Sequence, residues 1–218
     1  MTAFDDIAAM CAADGLGIVG AFHAGPEDGL APQIRTLLLL GPDSAAMWQA
    51  FSAAPEASDG AAHPMDRWSR RVIGRIAGRC DGEAFFPFGG PPYHPFIRWA
   101  ARGEHSAISP VAMQVSPVRG LWASFRGALA LRDRIELPER PKANPCTACP
   151  RPCLEACPVA AFRDGSYDVP RCVAHVRSVE GAACRSGCLV RRACPAGAGL
   201  DLPEAERRFH MAAFLAAH

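Results

Sequence analysis

Eight of the ten cysteines lie between residues 146 and 194, in two runs that each close on Cys-Pro. The first run is Cys146, Cys149, Cys153 and Cys157, followed by Pro158. The second, looser run is Cys172, Cys184, Cys188 and Cys194, followed by Pro195. Thiolates two or three residues apart can converge on one metal centre from a single loop. A fourth cysteine that precedes proline and ligates the other cluster is the signature of paired [4Fe–4S] clusters. The spacing therefore predicts two clusters, one on Cys146, Cys149, Cys153 and Cys194, the other on Cys157, Cys172, Cys184 and Cys188. Pro152 is one residue more than the usual first run contains, and the spacing in the second run leaves room for another arrangement around Cys172.

Two other uses of clustered cysteine compete with this one. Disulfides belong to oxidising compartments and small secreted domains. The N-terminus, Met1-Thr-Ala-Phe-Asp5-Asp6, is acidic and lacks both a basic region and a long apolar core, so a reduced, cytoplasmic chain is expected. Structural zinc also takes Cys-x2-Cys pairs, but commonly as two separated pairs. Four cysteines within twelve residues that end on Cys-Pro fit a cubane better. Cys11 and Cys80 stand apart and read as small buried residues. His175, close to Cys172, reads as a surface or capping histidine.

These ligands need a scaffold. The chain has 218 residues, half of them apolar, enough for a medium domain with a small one appended. Residues 1–140 are expected to form the first and 141–218 the second, with three prolines in the nine residues Leu137–Pro145 marking the link. Formal net charge is +1, so bulk charge suggests neither a nucleic-acid nor a membrane-surface partner. No stretch approaches the ~20 apolar residues of a membrane span.

Helix and strand alternate in the first domain. Thr2 can cap a helix ending near Gly15; Leu16–Phe22 and Thr36–Leu40 suit buried strands. Asp43 can cap a helix carrying Met47, Trp48 and Phe51. Trp68, Val72, Ile73 and Ile76 recur at helical spacing between about Met65 and Arg79. A further helix starts near His94, and Ile108–Val115 and Ala123–Leu131 read as strands. Glu204–Ala217 reads as an amphipathic terminal helix. The fold class is α+β, an α/β sandwich around one sheet followed by the cysteine-rich domain.

Two segments of the first domain look chemical. Phe86–Pro95 holds two glycines and four prolines, a rigid loop whose aromatics either line a cleft or pack inward. In Ser116–Gly127, Arg126 falls inside an apolar strand, where an unpaired cation would be costly. An internal carboxylate or an anionic ligand group must satisfy it.

The stretch Ile108–Gly127, leading to Ile135-Glu-Leu-Pro-Glu-Arg-Pro141, resembles the CblC-type cobalamin-processing proteins. Those share a His-Pro-Arg-(Phe/Tyr)-Gly-Gly-Trp-x-x-x-Arg-Gly core; here Ser116-Pro-Val stands in place of its His-Pro-Arg. The C-terminal half, through Arg171-Cys172 and Cys194-Pro195, resembles epoxyqueuosine reductases and reductive dehalogenases, which join a related domain to a two-cluster ferredoxin domain. The resemblance implies a nitroreductase-like first domain and a bacterial-ferredoxin-like second one. It implies an iron–sulfur oxidoreductase passing low-potential electrons to a corrinoid, cobalamin, in the first domain. That cofactor would lie over Gly120, Trp122, Arg126 and Gly127, with Phe88, Gly89, Gly90, Tyr93, His94 and Trp99 at its edge. Flavin mononucleotide in the same pocket, or a ferredoxin-like electron carrier that docks to a redox partner protein, are the alternatives. A small-molecule cofactor or substrate is expected in either enzymatic case. Epoxyqueuosine reductases carry a further helical repeat domain for RNA that has no counterpart before residue 218, so a transfer-RNA substrate is not expected.

Overall fold

The computed structural model describes residues 3–42, 44–163, 165–200 and 202–218. In chain order the first elements are α1 (Phe4–Ala12), β1 (Gly17–His23), β2 (Thr36–Gly41), α2 (Ala46–Ser52) and α3 (Pro64–Arg79). Next come β3 (Glu83–Phe85), α4 (Phe96–Gly103), β4 (Ala107–Ile108), β5 (Gln114–Val115) and β6 (Gly127–Leu131). A small hairpin of β7 (Phe162–Arg163) and β8 (Ser166–Tyr167) precedes α5 (Val169–Arg177), α6 (Ala182–Arg185), α7 (Leu189–Arg192) and α8 (Glu204–Ala216). The chain divides into two compact units, residues 1–105 with 124–141 and residues 106–123 with 142–218. Segment 106–123 thus groups with the cysteine-rich residues, where a single cut at residue 140 would have left it in the first domain.

The first unit is an antiparallel sheet in the order β1-β2-β6-β3. Four consecutive leucines make β2 a central strand because both its faces are buried from end to end. Successive side chains alternate, so Leu37 and Leu39 join Phe96, Trp99 and Ala100 of α4 on one face. On the other face Ile73 of α3 meets Gly127. The stripe read from the sequence of α3 is the stripe it buries: Met65, Trp68, Val72, Ile73 and Ile76. Its outer face is tied down by ion pairs, Arg67 to Asp59, Arg71 to Glu56 and Arg75 to Asp14. Edge strand β1 carries a bulge between Ile18 and Gly20. There Arg140 donates to the carbonyls of Ile18 and Val19, at 2.6 and 3.2 Å.

Several expectations are corrected. The strand expected over Ile108–Val115 is a tight hairpin of β4 and β5, closed by a Ser109 N–H to Met113 carbonyl bond of 2.8 Å, with Ala112 at φ 56°. The strand expected from Ala123 starts at Gly127, so Arg126 immediately precedes it. Helix α4 begins after Pro95 rather than at His94. Strand β3 went unforeseen, since three half-buried residues are too few for an alternation to register. The caps expected from Thr2 and Asp43 lie outside the described residues; at α1 the Asp6 carboxylate accepts the Ala3 N–H.

The second unit has little regular structure. Its core joins Val111, Val115 and Leu121 of segment 106–123 to Cys153, Ala161, Phe162, Val190 and Cys194. Helix α8 packs on α6. Among the described residues no helix is long and apolar enough to cross a membrane.

Candidate metal centres

Tight turns aim the cysteines. Arg151 takes a left-handed conformation before a 3-10 turn over Pro152–Leu154, which turns Cys153 into the core. A matching turn over Pro195–Gly197 follows Cys194. In each case proline occupies the first position of the turn, where no N–H is needed. Pro152, the residue that departs from the usual spacing, is thus the start of the turn that presents Cys153.

The structure brings the eight thiols together as two quartets. Cys146, Cys149, Cys153 and Cys194 line one cavity of about 420 Å³, together with Ser109, Val115, Leu121 and apolar loop residues. Cys157, Cys172, Cys184 and Cys188 line a second, with Phe162, Val176 and Met211. This second cavity is far tighter, about 20 Å³, little more than the ~10–15 Å³ a single water needs. Donor chemistry rather than open space carries the fit there. Cys157 has left its own run for the other quartet, and Cys194 has done the converse.

Electrostatics follow the same division. Burial pushes the Cys146 thiol up, and Cys149, Cys153 and Cys194 push it further. Burial likewise raises Cys153, with Cys194 and Cys149 adding to it. In the other quartet burial raises Cys184, reinforced by Cys188, Cys172 and Cys157. Burial also raises Cys172, against a hydrogen bond from Tyr167 that lowers it, with Cys188 and Cys157 adding to the rise. Four thiolates that repel one another in an apolar site need a compensating cation, and metal binding removes their protons.

Sulfur acceptors are matched by donors. The Arg151 N–H reaches Cys149 Sγ at 3.3 Å and the Ala161 N–H reaches Cys157 Sγ at 3.2 Å. Ser109, lining the first cavity, is 5 % exposed, and its hydroxyl has no partner among the described residues. Burial, and then the neighbouring Cys172, push the Tyr167 hydroxyl up. Arg191 donates to the Leu121 carbonyl. The other arginines of this region turn elsewhere: Arg171 to Asp168, Arg177 to the Leu215 carbonyl, Arg185 to the carbonyls of Val176 and Ser178. Sequence reasoning had singled out neither Ser109 nor Tyr167. Tyr167 sits five residues before Cys172, a spacing that carries no signal until the β7–β8 hairpin folds it back.

No three His, Cys, Asp or Glu side chains among the described residues are grouped to hold a single metal ion. Around one zinc, with Zn–S near 2.3 Å, tetrahedral sulfurs would stand about 3.8 Å apart. The thiols instead surround cavities, which suits a polynuclear centre.

Most residues expected to hold an organic cofactor have other work. Gly120 and Trp122 belong to the second unit. A Cβ on Gly120 would lie 2.8 Å from Cys194 Sγ, and Gly197 packs on the Trp122 ring. In the first unit Trp99 is fully buried and donates its Nε1–H to the Asp28 carbonyl at 3.1 Å. His94 stacks on Trp99, with ring centroids 5.7 Å apart. A Cβ on Gly127 would strike Ile73, and one on Gly90 would strike the backbone of Pro92 and Tyr93. Gly89 sits over the Phe86 carbonyl, and Phe88 stacks on Phe86 beneath the Arg70 guanidinium. Arg126 finds an internal carboxylate, with Asp66 3.9 Å away. Tyr93, 67 % exposed, is the one aromatic of the set that faces solvent broadly.

No family profile and no curated protein matches the chain. Among solved structures it is similar to epoxyqueuosine reductase from Streptococcus thermophilus, at 16% identity and TM-score 0.57, over 93% of this chain and 68% of that one. A selenomethionine-labelled epoxyqueuosine reductase gives 14% and 0.54, over 94% and 68%. An epoxyqueuosine reductase crystallised with a tRNA-Tyr epoxyqueuosine-modified stem loop gives 15% and 0.52, over 92% and 66%. At such identities the likeness is one of fold, a mixture of helices and a small sheet, and this chain spans about two thirds of each of those structures. The last of them stands against the expectation, drawn from net charge and chain length, of no nucleic-acid partner. Bulk charge does not report on a local RNA surface.

Proposed function

We propose that the chain is an iron–sulfur oxidoreductase whose second unit, bacterial-ferredoxin-like in its ligand pattern, carries two [4Fe–4S] clusters. Cys146, Cys149, Cys153 and Cys194 would hold one; Cys157, Cys172, Cys184 and Cys188 would hold the other. The single observation that carries this is the sorting of eight thiols into two quartets with the two Cys-Pro cysteines exchanged. Bound clusters would supply one-electron transfer at low potential. The chain's own residues bury the sulfurs against Val115, Leu121, Phe162 and Val190 and donate N–H groups to Cys149 and Cys157. Fold likeness to epoxyqueuosine reductases favours spending these electrons on reduction of a bound substrate over simple carriage to a redox partner. Anaerobically prepared protein should contain about eight iron and eight sulfide per chain. Zinc with little iron would refute the proposal.

The finer expectation of cobalamin, or of flavin mononucleotide, in a nitroreductase-like first domain is not supported by the residues named for it. Trp99 is core, Gly120 and Gly127 are required by packing, and Arg126 has Asp66, so no step is assigned to either group. A second reading, that the substrate is a modified nucleoside in RNA, is favoured by a fold shared with a protein seen on a tRNA stem loop. Saturable binding of such a stem loop in a gel-shift titration tests it; no shift at micromolar protein would remove it.

A further inference from the structure

Building on the two-cluster proposal, we infer that the Ser109 hydroxyl is a hydrogen-bond donor to the cluster on Cys146, Cys149, Cys153 and Cys194, and that it raises the potential of that cluster. Ser109 lines the cavity that these four thiols surround. It is 5 % exposed, and its Oγ has no hydrogen-bond partner among the described residues. A hydroxyl buried in that way is costly, and one that persists calls for an acceptor. The tight turn between β4 and β5 holds the residue in place. Its N–H donates to the Met113 carbonyl at 2.8 Å, and its own carbonyl accepts from the Ala112 N–H at 3.0 Å. Both backbone groups are thus used inside the hairpin, and the hydroxyl alone is left over at the cavity wall. Apart from the cysteines, the described lining has one other polar side chain, that of Arg151, which is exposed and is itself a donor. Its remaining side chains are those of Val, Leu, Pro and Ala, which accept no hydrogen bond. None of the four cysteine sulfurs serves the hydroxyl either. The acceptor that fits is therefore sulfide of the cluster proposed for this cavity. A hydrogen bond to cluster sulfur stabilises the reduced, more negative state and raises its potential.

The test is an anaerobic redox titration of the full chain with dithionite, followed by electron paramagnetic resonance, in wild type and Ser109→Ala. Each step adds one electron from dithionite to one cluster and makes or breaks no covalent bond in the chain. The variant keeps both backbone bonds of the turn and loses only the hydroxyl. It should make reduction of one cluster about tenfold less favourable, a fall of about 59 mV for one electron, and leave the other step in place. The signal that moves should be the one that Cys157→Ser spares. Two unmoved steps, as for a hydroxyl satisfied by water, overturn the inference, and so does movement of the signal that Cys157→Ser alters. Iron and sulfide are measured on the same samples. A fall to about four irons in Ser109→Ala alone would make the hydroxyl part of what holds the site and overturn its role as a tuning donor. Protein with about eight irons and unmoved steps refutes the donor alone, whereas wild-type protein without iron refutes the cluster reading and this inference with it.

Discussion

Gly120 and Cys194 are in such close register that position 120 has no room for a side chain. Its Cβ would lie 2.8 Å from the Cys194 sulfur and 2.4 Å from the Gly197 nitrogen, and its backbone sits at φ 55°. A glycine suggested by sequence as a platform for an organic cofactor is, in the folded chain, what lets segment 106–123 lie against a thiol of the first quartet.

Gly120→Ala should therefore cost about 2–4 kcal/mol, from left-handed strain and overpacking together. It should also lower iron content from about eight towards about four, by displacing Cys194. Urea unfolding and iron analysis check both. As a contrast, Gly74 lies inside α3 with no heavy atom near its absent Cβ, and Gly74→Ala should stabilise by roughly 1 kcal/mol.

Cys157→Ser should disturb the second quartet although Cys157 lies in the first run. Paramagnetic resonance should lose or alter the signal of the cluster proposed on Cys157, Cys172, Cys184 and Cys188 and retain the other. The reverse outcome would mean that the run, not the crossing, decides the ligands.

The Arg71 guanidinium hydrogen-bonds both Glu56 oxygens, at 2.5 and 2.9 Å, and holds that carboxyl down from the ordinary 4.5 to about 2. A depressed carboxylate contributes stability that is complete above its unfolded value and is lost as pH falls through the folded one. The gap in urea midpoint between wild type and Glu56→Gln should be widest above pH 4.5 and close on descending to pH 2. At neutral pH the substitution should cost about 1–2 kcal/mol. A gap that stays constant with pH would show that the pair does not titrate as a unit.

Asp66 gives Arg126 an internal partner, so Arg126→Ala should destabilise the chain by about 1–3 kcal/mol while leaving iron content unchanged. Thermal unfolding and iron analysis separate the two effects; a loss of iron would mean that Arg126 matters to the cysteine-rich unit.

The grouping of the eight cysteines into two quartets was legible in the sequence because Cys-Pro is a local signal with a chemical cause, and α3 and β2 were legible because their apolar patterns are long. Segment 106–123 was not. Its strands are two residues each, Pro110 and Ala112 enforce a turn, and its unit is decided by where Val111, Val115 and Leu121 find apolar company. Arg126 could be read only as needing a counter-charge, since Asp66 is sixty residues away in sequence and adjacent only after α3 docks on the sheet. Trp99, expected at a cofactor's edge, lies in the core, and a tryptophan at helical spacing looks the same from sequence whether it faces a ligand or the core.

Because β6 lies between the two pieces of the second unit, the units are interleaved along the chain and cannot be exchanged as cassettes. A ribosome finishes synthesising the first unit at about residue 141, when Val111, Val115 and Leu121 have been made but their partners have not. At the usual ~5–20 residues per second, residues 142–218 take roughly 4–15 s more to synthesise, and the apolar side of the β4–β5 hairpin waits that long for cover. A C-terminal piece cut at residue 141 should accordingly collect iron poorly and aggregate, and co-expressing it with residues 106–123 as a separate peptide should restore part of what it lost.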